Sequence, residues 1–184
     1  MPIKKIKVSN FKVFKDIEVE LNNLNVFIGA NAAGKSSFIR IFHFLRNIIQ
    51  EGLKNAISLE GGIAYLRNIN IGKKAPLSFE IIYESLNPRK NKIKTESGEI
   101  YRELGEITYR FDLSFKGKAS SEYNITRDIL SINYNFFETG DKRKFLGTET
   151  LDLFIEKGKP EINIKRKNLE IPEELKLTRD KILP

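Results

Sequence analysis

The chain has 184 residues, 40% hydrophobic and 30% charged, and carries a net charge of +8 from 32 Lys and Arg against 24 Asp and Glu. This is the profile of a soluble globular chain long enough to bury a core without staples. No apolar run approaches the roughly 18 residues of a membrane span, and the N-terminus MPIKKIKVSN has no apolar signal region. The absence of cysteine excludes disulfides, thiolate metal sites and cysteine nucleophiles, and fits a cytoplasmic protein.

Ile3, Ile6 and Val8 read as a short strand, and Ile17, Val19 and Leu21 alternate with Glu18 and Glu20 as a half-buried one. The polar link Asn10–Asp16 between them holds Phe11 and Phe14. Leu24 to Ile28 is a mostly apolar run ended by Gly29, the pattern of a strand buried on both faces. Beyond the glycine turn, Phe38, Ile41, Phe42, Leu45, Ile48 and Ile49 recur at helical spacing, widened by Ile39 and Phe44. A helix packed on most of its circumference is expected, with His43 in its narrow polar seam as a solvated residue.

A less regular region containing SLEGGIAYLRN (58–68) follows, and then the period changes to two. Leu77/Phe79/Ile81/Tyr83, Ile107 to Phe115, Tyr123/Ile125, Ile132/Tyr134/Phe136 and Leu151/Leu153/Ile155 alternate. Turn segments at 84–91, 115–120 and 138–144 separate them, so residues from about 76 to 165 predict an antiparallel sheet. A helix is expected to open after Pro172. Basic clusters at KNKIK (90–94), DKRK (141–144) and KRK (165–167) suit either a solubilising surface or contact with nucleic acid.

GANAAGKS, Gly29 to Ser36, matches G-x-x-x-x-G-K-[ST] at every fixed position. Gly29 and Gly34 let the backbone turn its N–H groups toward phosphates, and the helix that follows offers unpaired donors and the positive end of its dipole. Lys35 supplies the charge that reaches the β- and γ-phosphates, Ser36 an oxygen for Mg²⁺, and Ser37 further donors. The flanking apolar strand and helix are the setting a P-loop requires.

With Asn10-Phe11-Lys12-Val13-Phe14 about twenty residues ahead of Gly29-Ala30-Asn31-Ala32-Ala33-Gly34-Lys35-Ser36-Ser37, the first seventy or so residues resemble the N-terminal segment of ABC-type P-loop ATPases of the RecF, SMC and OLD-like AAA-type group. The resemblance implies an α/β P-loop core over 1–75, an antiparallel β-lobe over 76–170, and the start of a further segment at 171–184. It also implies ATP or ADP with Mg²⁺ as ligands, Lys12 beside the nucleotide, and a pocket lined by Asn31, with Ala30, Ala32 and Ala33 in the loop. Lys35 is the catalytic candidate and Ser36 the metal ligand. In that group two heads close on one another around ATP and act in DNA repair, DNA maintenance or phage defence. The remainder of the head, a second head and DNA are therefore the partners the resemblance implies.

Several expected parts do not appear in the sequence. No apolar strand ends in Asp-Glu, and SLEGG lies too near the P-loop to be a signature motif and reads as a loop. The only glutamine, Gln50, falls on the first helix. Hydrolysis is accordingly expected to be incomplete in this chain. The rival readings are a complete small P-loop kinase or GTPase, although no NKxD occurs, and a basic β-domain that binds nucleic acid.

Overall fold

The computed structural model describes residues 3–72, 74–84, 90–95, 98–116, 122–139, 143–156 and 159–178. The three expected turn segments, and the end of the chain past residue 178, lie wholly or partly outside these. In chain order the elements are β1 (Ile3–Phe11), β2 (Phe14–Glu20), α1 (Lys35–Glu51), α2 (Leu53–Leu59), α3 (Ile63–Leu66), β3 (Leu77–Tyr83), β4 (Lys90–Thr95), β5 (Gly98–Lys116), β6 (Glu122–Glu138), β7 (Lys144–Glu156) and β8 (Lys159–Lys167), followed by a short 3-10 turn, Glu173–Leu175. Hydrogen bonding links the strands in the order β2-β1-β3-β5-β6-β7-β8, with β4 on β5. The contacts divide the chain into two units interleaved in sequence: residues 5–81 with 110–127, and residues 1–4, 82–109 and 128–184.

In the first unit, alternation along β1 turns Ile6 and Val8 inward and Lys5 and Lys7 outward. The inward face meets α1 through Phe11, Phe44 and Phe79, whose ring centroids lie 6.0, 5.6 and 5.8 Å apart. These spacings suit tilted and edge-on aromatic packing. The outward face is an ion-pair lattice: Lys7 reaches Glu18 at 3.0 Å, and Arg110 reaches Glu80 at 2.7 Å.

Two expectations for this unit change. Residues 24–28 form no strand, and α1 is buried only along Phe38, Ile41 and Phe44. Ile39 and Ile49 are exposed, so the apolar circumference of α1 is covered on one side only. His43 is exposed, as its polar seam predicts.

What closes the first unit is a buried asparagine. Asn10 takes a left-handed φ of 54°, which asparagine tolerates better than most residues. Its amide nitrogen donates to the carbonyls of Gly72 at 3.0 Å and Ala75 at 2.7 Å, and its Oδ1 accepts from the Asn68 N–H at 3.0 Å. Asn68 in turn donates to the Lys12 carbonyl at 2.9 Å. Residues 67–72 and 74–75, which pair in no ladder, are thereby tied to the end of β1.

The second unit is built on the β5–β8 strands. At the β6–β7 pairing a bulge between Phe136 and Phe137 sends Leu146 into a core with Ile100, Phe136 and Ile171. After β8, Asn168 turns left-handed at φ 52° and the chain returns over Gly147. A Cβ on Gly147 would lie 2.3 Å from the Asn168 carbonyl oxygen, so only glycine fits. The fully buried Glu149 accepts from Arg166 Nε at 2.9 Å and from the Leu177 N–H at 3.2 Å, which pins the returning segment. The expected helix after Pro172 is one 3-10 turn within it.

Asn10→Ala should lower the unfolding free energy by about 2 kcal/mol, since it takes the amide donor from the part-buried carbonyls of Gly72 and Ala75, while the Asn68 N–H keeps the Asn10 backbone carbonyl at 3.3 Å. The urea midpoint measures this. Gly147→Ala should cost at least as much, about 3 kcal/mol or more, because the obstruction is backbone.

Candidate nucleotide-binding loop

The glycine turn sits where the sequence places it, between the 24–28 run and α1, with Lys35 as the first helical residue. Gly34 caps the helix at φ 96°, with no side chain bonded to the first-turn N–H groups and no acidic residue in that turn. The opening N–H donors of this 17-residue helix therefore have no side-chain cap, the setting in which a helix N-terminus can take an anion. Ala33 N–H donates to the Ala30 carbonyl at 3.2 Å, and Ala32 between them stands at φ 65°. A left-handed alanine costs about 1 kcal/mol, strain held in the loop itself.

Lys35 Nζ lies 2.6 Å from the carbonyl oxygens of Gly29 and of Ala30. The ammonium is folded across the mouth of the loop, where a phosphate oxygen would replace two neutral acceptors with a charged one. Gly29, Ala30, Asn31, Ala32, Ala33 and Ser36 are exposed; Gly34, Lys35 and Ser37 are partly covered. A Cβ on Gly29 would stand 3.3 Å from that of Ala33, so the two ends of the loop are close. This donor set, N–H groups, one ammonium and two hydroxyls with no carboxylate among them, fits a polyphosphate, and Ser36 Oγ is a hard oxygen of the kind Mg²⁺ takes.

The turn between β1 and β2 lies against this loop. A Cβ on Gly34 would stand 3.1 Å from the Phe14 ring and 3.4 Å from Val13. Lys12, next in this turn, has a φ of 49° and is engaged elsewhere: its Nζ is 2.8 Å from Glu60 Oε2 and 3.3 Å from the Tyr65 carbonyl. Glu60, whose side chain is only 6% exposed, also meets Arg40 of α1 at 3.4 Å. Glu60 was not a candidate in the sequence. Its only signal there was an acid within SLEGG, whose first residues close α2 and whose Gly61 and Gly62 turn at φ 88° and 94°.

The 24–28 run that leads into the loop is exposed along its length: Val26 is 73% and Ile28 92% accessible. Phe27 packs at a tilt on Phe38, ring centroids 4.7 Å apart, and the Asn25 amide bonds back to the Asn22 backbone.

Residues 1–182 match the family described as AAA ATPase domain. The chain belongs to this family. Its sequence is also similar to the DNA replication and repair protein RecF of two strains of Lactococcus lactis subsp. cremoris, 39% identical over 46 residues. The corresponding protein of Lactococcus lactis subsp. lactis is 37% identical over 46 residues. Each match covers 24% of this chain and 13% of the relative's length. The chain is thus an AAA-type ATPase domain of the RecF- and SMC-like kind, and the glycine turn Gly29–Ser36 lies within the matched residues. Among the described residues no helix is long and apolar enough to cross a membrane.

Lys12→Ala should cost about 2 kcal/mol of stability, because it removes one of the two cations beside the buried Glu60 carboxylate. Restoring most of that loss with Glu60→Gln in the same chain is the expected result of a double-mutant cycle.

Proposed function

We propose that the chain is the ATP-binding N-terminal portion of an ABC-type head, an α/β P-loop core joined to an antiparallel β-lobe, in a longer ATPase. Its work would concern DNA repair, DNA maintenance or phage defence, a reading supported by the RecF similarity. The observation that carries the proposal is the exposed apolar run Leu24–Ile28. A P-loop ordinarily follows a strand held between other strands, and an apolar segment with its backbone free of any ladder invites pairing. The remainder of the head would supply the neighbouring strands and, with them, the carboxylates that the sequence lacks.

In this reading ATP lies over the loop. The loop N–H groups other than that of Ala33, which donates to Ala30, would hold the β-phosphate together with the start of α1, and Lys35 would leave the Gly29 and Ala30 carbonyls for the β- and γ-phosphates. Ser36 would hold Mg²⁺, whose bound charge offsets that of the phosphates. Asn31, on the outer turn of the loop, would line the pocket with Ala32 and Ala33. Lys12 would reach the nucleotide from the turn whose Val13 and Phe14 rest on Gly34, and Ser37 would extend the donor set. In-line attack by water needs an oriented nucleophile, for which this chain has no assigned group, so binding without rapid turnover is the expected behaviour. Closure of two heads and action on DNA belong to the whole protein.

Calorimetry tests the binding step. Lys35→Ala should weaken MgATP by about a hundredfold, and Ser36→Ala should lower affinity with Mg²⁺ more than without it. Unchanged affinity in Lys35→Ala would remove the P-loop role. Steady-state assays of residues 1–184 should give a rate close to background, rising when the rest of the head is added in trans. A robust rate from this chain alone, lost in Lys35→Ala, would favour a complete small kinase or GTPase.

A further inference from the structure

We infer that the second unit carries a platform for single-stranded nucleic acid on the sheet face opposite its Ile100–Phe136–Leu146 core. Register assembles that face from five strands. Lys90, Lys92 and Lys94 of β4 stand beside Glu103, Tyr101 and Glu99 of β5. Gly105 continues the β5 row, and a Cβ there would lie 3.0 Å from Asn135 Nδ2 and 3.5 Å from Asn133 Cβ, so both asparagine side chains share this face. The row runs on through Phe137↔Phe145, Asn135↔Thr148 and Asn133↔Thr150, and then to Lys167 opposite Thr148 and Lys165 opposite Thr150.

The composition of the face is ordered. Lysines occupy both margins, on β4 and on β8. Between them lies a strip of aromatic rings, amides and hydroxyls. Phe145 is 55% exposed, its ring centroid 5.4 Å from that of Phe137, over which the Arg143 guanidinium stacks at 3.5 Å. An open depression of about 360 Å³ has Gly105, Asn133, Asn135 and Thr148 among its lining residues. Most carboxylates here meet a cation: Glu99 meets Lys92 at 2.6 Å, Glu103 meets Arg143 and, at 3.5 Å, Lys90, and Asp152 meets Lys165 at 2.7 Å. Glu84 in the depression meets Lys4 at 3.0 Å, whereas Glu106 there accepts from the Thr108 hydroxyl at 3.3 Å. Lys94 and Lys167 remain exposed at opposite margins.

This arrangement selects its partner by chemistry. An exposed phenylalanine within a charged sheet gains most from a planar π-face, and every base has one. Asparagine amides offer both a donor and an acceptor to a base edge. The five strands span about 19 Å, so a strand crossing them lays bases over the aromatic strip while its phosphates reach lysines at either side. A duplex keeps its base faces stacked away from such a surface. The platform does not depend on the nucleotide loop, so it survives if the ATP reading fails.

Fluorescence anisotropy of the full chain, with labelled oligothymidylate, oligouridylate and a mixed-sequence duplex, tests the inference; the two single strands decide between DNA and RNA. Both Phe145→Ala and Phe145→Leu should weaken single-strand binding by about tenfold while leaving the salt slope unchanged. Lys94→Ala and Lys167→Ala should each flatten the dependence of log K on log salt by about 0.7. All are exposed positions, so circular dichroism should match the parent, and Lys35→Ala should bind the oligonucleotides as the parent does. Duplex bound as tightly as single strands, affinity indifferent to Phe145, or no binding at low salt would overturn the proposal.

Discussion

The first unit depends on the side chain of Asn10. One amide, buried at the end of β1, meets the backbone of Gly72, Ala75 and Asn68. Backbone groups outside a helix or sheet need partners when covered, and Asn68, Gly72 and Ala75 find theirs here. The same residue bends the chain left-handed into the Lys12-Val13 turn, which places Phe14 and Val13 against Gly34. Fold closure and loop placement thus share one origin. A phrase that reads in sequence as a polar link between strands is the joint between the core and the glycine loop.

The loop combines strain with an unspent donor set. Ala32 holds a left-handed conformation, Gly34 leaves the helix uncapped, and Lys35 rests on carbonyls that a phosphate would outcompete. Such features persist only where surrounding contacts hold them, and the packing of Phe14 on one side and Phe27 on Phe38 on the other does so. The exposed Val26 and Ile28 belong to the same arrangement. The segment is apolar on both faces yet uncovered within this unit.

The second unit uses a different economy. Its one well-sealed corner is made by Gly147, the left-handed Asn168 and the buried Glu149, which together fold the 168–178 segment back onto the core. With one face closed in that way, the other is free to carry lysines, amides and a partly exposed aromatic pair. The bulge at Phe136 and Phe137 decides which ring goes where: Phe136 is sealed in the core and Phe137 is turned to the opposite face beside Phe145.

Local chemistry was legible from the sequence wherever it is carried by short-range pattern. The loop from Gly29 to Ser36, the start of α1 at Lys35, the period-two strands from Leu77 onward and the solvated His43 all follow from glycine geometry, helix termini and alternation, which act over a few residues. What tertiary structure decided was partnership. Leu24 to Ile28 has the composition of a buried strand, but burial needs neighbours, and none of the described residues pairs with it. The outer face of α1 is exposed for the same reason. The engagement of Lys12 by Glu60, the sealing of Asn10 and the sharing of one sheet face by Lys94, Asn135, Phe145 and Lys167 join residues tens of positions apart. Sequence spacing encodes which way a side chain points along its own element; only the register between elements decides what it meets.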